Sequence, residues 1–174
     1  MSNTGPLVTG LFRDRDSAEQ AYQAVQDRGY GRQDVDVLMS DATRERHFGN
    51  DDVRVTELGT KAAEGAGVGG AIGGTVGAIA AAIAAVGTSL AIPGLGLVVA
   101  GPIAAALAGA GAGAATGGLV GALIGWGMPE ERLKAYDAAL RDGAILMAVR
   151  PRSSEDAAHV EQRWVEARGE AIRR

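Results

Sequence analysis

The sequence predicts an α+β fold: a small ferredoxin-like, split βαβ domain with an inserted long Gly/Ala-rich antiparallel helical hairpin and a C-terminal helix. Three observations predict it. The first forty residues read strand, helix, strand; residues 65–129 carry no charged side chain; and a helix and strand of similar pattern follow that stretch. The expected organisation is a first part of the α/β domain over residues 1–60, the hairpin over 61–128, and the second part of the domain with the terminal helix over 129–174.

Leu7 to Phe12 (LVTGLF) reads as a strand. Asp16, with Glu19 three residues on, resembles a capping box and announces a helix whose Ala18, Ala21, Tyr22 and Val25 fall on one apolar face. Gly29 supplies the stop. Val35 to Met39, after the turn-prone Gly31 to Asp34, reads as a second strand. Ser40 to Asp52 is polar and is expected to form a loop, and the imperfect alternation of Val53 to Leu58 suggests a third strand.

A helix beginning at Thr60 to Glu64 is expected to enter the uncharged stretch. There the glycines recur every fourth position in two runs: Gly65, Gly69, Gly73 and Gly77, then Gly109, Gly113, Gly117, Gly121 and Gly125. Four-residue spacing places each run on one helix face, where the missing side chains admit another backbone. The first helix is expected to end near Leu90 or Ile92 at the hairpin turn, Pro93 and Gly94, leaving an irregular connector to Gly101. Pro102 suits the first turn of a second helix running to about Trp126.

Beyond the hairpin, Pro129-Glu130-Glu131 opens a helix that stops at Gly143, and Ala144 to Val149 is the clearest strand in the chain. Ser153 or Ser154 begins a terminal helix with an apolar side of Ala157, Val160, Trp164, Ala167 and Ala171. The helix Ala21-Tyr22-Gln23-Ala24, ending at Gly29, matches Ala135-Tyr136-Asp137-Ala138, ending at Gly143. A duplicated helix-strand unit is the simplest account.

The 174 residues are 47% hydrophobic but only 4% aromatic, with 27 glycines. That composition favours close backbone packing over a bulky core. The net charge of −4 and the pI of about 5.2 argue against a nucleic-acid binder with a basic surface, and no nucleic acid is expected as a partner. Without cysteine there is no disulfide, thiolate catalysis or cysteine-ligated metal. The N-terminus lacks a basic and then apolar signal region, so a cytoplasmic location is expected.

Chemical motifs fail on context. Gly65, Gly67 and Gly70 match the dinucleotide spacing, yet they are expected inside a helix, with no acidic residue following until Glu130. His47 and His159 are far apart in sequence and have the surroundings of surface histidines. Glu130 and Glu131 point to different helix faces, which does not suit a paired acid and base. No catalytic residue, metal ligand or cofactor is expected.

The segment LVTGLFRDRDSAEQAYQAVQDRGYGRQDVDVLMS, the Lys61-Ala-Ala-Glu-Gly-Ala entry into the glycine runs, and Met128-Pro-Glu-Glu with Tyr136 and Gly143-Ala-Ile-Leu-Met-Ala-Val resemble the bacterial general stress protein family. The likeness is to its heat-induced, 17M-like members with a central glycine zipper. It implies a stress-related role and no catalytic residues.

Two environments suit the hairpin. About 25 helical residues span roughly 37 Å, enough to cross a bilayer core of about 30 Å, which would place the protein in or at the inner face of the cytoplasmic membrane. The rival is a soluble homo-oligomeric ring, shell or filament in which the hairpins of many copies bury one another. A binding module for a hydrophobic ligand or cargo between glycine faces is a third reading. In the first two the partner is another copy of the chain.

Overall fold

The computed structural model describes residues 7–48, 90–92, 97–101 and 130–174. Among these, the elements in chain order are β1 (Val8–Phe12), α1 (Arg15–Asp27), β2 (Val35–Ser40), α2 (Asp41–Phe48), β3 (Leu90–Ile92), β4 (Leu97–Ala100), α3 (Glu130–Arg141), β5 (Ile145–Val149), α4 (Ser154–Glu166) and β6 (Glu170–Arg173). The strands form one six-stranded sheet ordered β3-β4-β2-β5-β1-β6, and every neighbouring pair is antiparallel. The α+β class is therefore as the sequence predicts.

Strand β5 lies between β1 and β2 and pairs with both, Val149 standing opposite Val8 on one side and Val35 on the other. Two β-α-β units interleave as a result. One is β1-α1-β2; the other is β5-α4-β6, whose last strand adds to the far side of β1. Neither unit could close a sheet alone, because each leaves a one-strand gap that only the other fills.

Side-chain alternation along the strands divides the buried residues between two faces. One face collects Val8, Phe12, Val35, Val37, Met39, Ile145, Met147 and Val149, and onto it pack Ala18, Ala21, Tyr22 and Val25 of α1 with Ala157, Val160 and Trp164 of α4. The opposite face carries Thr9, Leu11, Leu38, Leu146 and Ala148. Helix α3 covers it with Leu133, Tyr136 and Leu140, all buried, and the Tyr136 hydroxyl shares a 2.8 Å hydrogen bond with Thr9 Oγ1. The order of layers is thus α1 and α4, sheet, α3.

Trp164 is the centre of the larger core. It is wholly buried, donates its indole N–H to the Ala21 carbonyl at 3.1 Å, and meets the Phe12 ring edge to face at 5.6 Å. Gly10 provides its seat: a Cβ there would come 2.8 Å from Trp164 Cε3.

Local signals place the helix ends. Asp14, rather than Asp16, caps α1, accepting the Ser17 N–H at 2.8 Å; Ser153 caps α4 through the Asp156 N–H at 3.0 Å. Helices α1 and α3 end alike, with Gly29 at φ 88° and Gly143 at φ 92°. In each, the next residue's N–H reaches back five positions, Tyr30 to the Val25 carbonyl and Ala144 to that of Ala139. This is the Schellman arrangement.

The structure corrects several expectations. The match between the Ala-Tyr helices is one of packing and cap chemistry, since α1 and α3 lie on opposite faces of the sheet, and the helix equivalent to α1 in the topology is α4. The expected loop after Ser40 is in part helix α2, capped by Ser40, whose Oγ accepts the Thr43 N–H at 3.1 Å. The chain's last element is strand β6, not a helix running through Ala171. After Glu166 the backbone turns at Arg168, which takes φ 62°, and Gly169 returns its N–H to the Trp164 carbonyl at 2.7 Å.

The correction with most bearing on function falls between the glycine runs. Residues 90–92 do not continue a helix and residues 97–100 are not irregular. They are β3 and β4, paired Leu90 to Val99 and Ile92 to Leu97, and β4 continues the sheet along β2 from Val37 opposite Ala100 to Ser40 opposite Leu97. Leucine, isoleucine and valine suit a buried strand at least as well as a helix end, and a short apolar run does not distinguish them by periodicity. The suggested strand Val53 to Leu58 lies outside the described residues.

Candidate functional site

Two groups of polar side chains stand out among the described residues. The first joins the turn after α1 to the turn before α4. Tyr30, whose ring is buried, donates its hydroxyl to Asp156 Oδ2 at 2.6 Å and accepts the Arg152 backbone N–H at 2.7 Å. The Arg152 guanidinium lies over the same ring, 4.4 Å from its centroid, and reaches Asp34 at 3.1 Å and the Gly29 carbonyl at 3.2 Å. Arg28 pairs with Asp156 at 2.7 Å and Glu155 at 3.0 Å.

The electrostatics of this group oppose acid-base chemistry near neutral pH. The hydrogen bond from Tyr30, followed by that from Arg28, holds the Asp156 carboxyl below the usual carboxylate range. Burial, followed by the bond to Asp156, pushes the Tyr30 phenol up. A general acid or base works best with its pKa near the working pH, and here both groups move away from it. The cluster's geometry is that of a clamp, fastening the crossover of one β-α-β unit to that of the other.

The second group lies at the opposite ends of α1 and α4. Arg13 bridges Asp142 at 3.1 Å and Glu170 at 3.0 Å, linking the end of α3 to the edge strand β6, and Arg168 approaches Asp14 at 3.7 Å. The N–H of Ser17 is the main cause that holds the Asp14 carboxyl low. These pairs are largely exposed, and such pairs add little stability each. The His47 backbone carbonyl accepts a hydrogen bond from the Arg15 guanidinium at 2.7 Å, while His159 is partly buried on α4. The structure does not bring the two together.

Among the described residues no group of three histidine, aspartate or glutamate side chains is placed to hold a metal. No described helix is long and apolar enough to cross a membrane.

Comparison with known proteins adds no relative. No family model, no characterised protein and no solved structure matches the chain. The functional reading therefore rests on the sequence pattern and the geometry alone.

The expected assembly residues Gly65, Gly69, Gly73, Gly77, Gly109, Gly113, Gly117, Gly121 and Gly125 lie outside the described residues, as do Pro93 and Gly94 of the expected hairpin turn. What the structure does place is where these segments join the domain. The described residues stop at Phe48 and resume at β3, and stop again at Gly101 and resume at Glu130.

Gly101 is fixed by its surroundings. Its φ is 111°, and a Cβ would meet the Val35 carbonyl oxygen at 2.5 Å and Asp36 Oδ1 at 2.7 Å. Only glycine can stand there without shifting strand β2. The junction between β4 and the second glycine-rich segment is therefore built into the sheet. Sequence reasoning passed over it because Gly101 is one glycine among many in that stretch.

Proposed function

We propose that this chain is a non-enzymatic, stress-associated structural protein that self-associates through its glycine-rich segments, with the α+β domain as their frame. In this reading the order β2-β5-β1-β6, with crossovers α1 and α4 on one face, is a ferredoxin-like core. Strands β3 and β4 are an addition at its β2 edge, and the general stress protein resemblance supplies the physiological context.

The single observation that carries the proposal is the position of β3 and β4. They stand between the two glycine runs in sequence, β4 hydrogen-bonded to β2 and β3 to β4, so the chain between the runs belongs to the sheet of a domain whose own polar groups serve to hold it together. Glycine at every fourth position favours close helix contact, and an apolar surface of that size is seldom left bare on a monomer. Both facts support a second copy as the partner.

The test is the solution mass, by light scattering after size exclusion, of the wild type and of Gly73→Leu, Gly117→Leu and Gly31→Leu. The first two are expected to lower the mass towards that of a monomer. Gly31, at φ −86° with no atom within 3.7 Å of an added Cβ, is expected to leave it unchanged. A wild-type monomer, or equal masses in all four proteins, would overturn the proposal.

A further inference from the structure

We propose that the outer edge of strand β6 docks the same edge of a second copy of this chain, the two strands running antiparallel about a two-fold axis. β6 is the last strand on its side of the described sheet, and Glu170, Ala171 and Arg173 in it are exposed. Backbone N–H and C=O groups on such an edge that do not face β1 are open to a further strand.

The bulge decides which side chains share a face there. Along an unbroken strand, residues three apart point to opposite faces. Here Glu170 stands opposite Leu11 and Arg173 opposite Thr9, so three steps along β6 match two along β1. Leu11 and Thr9 share the face that α3 covers, and the extra residue brings Glu170 and Arg173 to it as well. Ile172 is turned to the other face, against the Trp164 core.

A two-fold axis between residues 171 and 172 sets Glu170 opposite Arg173 of the second copy, and Arg173 opposite its Glu170. Both strands carry the same extra residue, so their registers agree. Opposite charges facing each other across a strand pair are stabilising and like charges are not. The groups are available for this contact. Arg173 makes no ion pair among the described residues, its guanidinium reaching only the Ile172 carbonyl at 3.4 Å, whereas Arg174 beside it is held by Glu161 at 2.6 Å. Arg13 takes one carboxylate oxygen of Glu170, Oε2, which leaves the other to accept.

A second observation lies beside the same edge. Val165 is the one large hydrophobic side chain exposed among the described residues, at 63%. It follows Glu161 by four positions on α4 and so shares its flank. The bond from Arg174 to Glu161 identifies that flank as the one next to β6, and pairing of the two edges brings it towards its copy. Charged side chains on an edge commonly discourage pairing. These suit a strand with the reverse order of charge, which a second copy supplies.

The contact lies on the domain and uses neither glycine-rich segment, so it holds or fails independently of the assembly proposed above. Its test mixes two full-length variants. Glu170→Arg leaves the edge with two positive charges, and Arg173→Glu leaves it with two negative ones. Each alone is expected to pair on the order of tenfold or more weakly than the wild type, read as a lower mass by sedimentation equilibrium at equal concentration. An equal mixture restores both attractions and is expected to regain the wild-type mass.

Amide exchange of residues 170–173 supplies a reading local to β6, distinct from any association through the glycine runs. It is expected to slow with rising concentration in the wild type and in the mixture, but in neither variant alone. The proposal is overturned if wild-type exchange at β6 does not depend on concentration, an outcome that needs no variant to fold. It is equally overturned if variants with wild-type circular dichroism keep the wild-type mass, or if their mixture regains neither mass nor protection.

Discussion

Gly10→Ala tests how the core is seated. The added Cβ would stand 2.8 Å from Trp164 Cε3 and 3.2 Å from Cζ3. The indole cannot simply withdraw, since its N–H is held by the Ala21 carbonyl, Phe12 closes on it edge to face and none of the side chain reaches solvent. One methyl forced into such a core costs about 1–3 kcal/mol. Against this, alanine is favoured over glycine within a strand by roughly 0.5–1 kcal/mol. The net expectation is a loss of up to about 2.5 kcal/mol.

Trp164→Phe removes the part of the ring that carries Cε3 and Cζ3. In that background Gly10→Ala is expected to become neutral or stabilising. Urea unfolding of the four proteins, followed by far-ultraviolet circular dichroism because Trp126 complicates fluorescence, gives the coupling directly. Equal cost of Gly10→Ala with tryptophan and with phenylalanine at position 164 would refute the reasoning, because Gly10 would then be needed for something other than the indole.

Four further outcomes are expected. Arg168 sits in the left-handed region at φ 62° and its 3.7 Å approach to Asp14 is exposed, so Arg168→Gly is expected to stabilise by about 1 kcal/mol, read as a rise in thermal midpoint. At Gly143 an added Cβ meets nothing nearer than 3.5 Å, so Gly143→Ala carries only the backbone strain of about 1–2 kcal/mol. Gly101→Ala adds a collision with the Val35 carbonyl and is expected to cost more and to speed amide exchange in β4. The Asp156 carboxyl, with its pKa lowered by folding, contributes stability that is present above the usual aspartate range and lost as the pH falls below about 4 through the folded value. Asp156→Asn is therefore expected to lose stability at pH 7 and to show a flatter decline in urea midpoint at acid pH than the wild type.

Much of the domain was legible from local chemistry. The apolar face of α1, the glycine stops at 29 and 143, the Ser153 cap and strand β5 follow from side-chain periodicity and cap preferences acting within a few residues of each other. Helix α2 was missed because it buries little beyond Thr43 and Phe48, so its pattern is that of a polar loop, although Ser40 three residues before Thr43 was a readable cap. Strand β6 was missed for a related reason. Its residues are mostly exposed, and it exists because β1 offers an open edge, with a register shift between Thr9 and Leu11 where Ala171 takes φ 48°.

By itself the sequence determined the α+β class, the glycine stops of α1 and α3, the Ser153 cap of α4 and the small-residue character of the central stretch, because each depends on residue type and short spacing. Only the tertiary structure decided which strands are neighbours. Pairing β5 between β1 and β2 brings together residues more than a hundred positions apart, and no local preference specifies that choice over another edge. The same applies to β3 and β4. Their apolar residues could have ended a helix; it is the open side of β2, with Gly101 admitted close against Val35 and Asp36, that makes them strands and so ties the middle of the glycine-rich stretch to the domain.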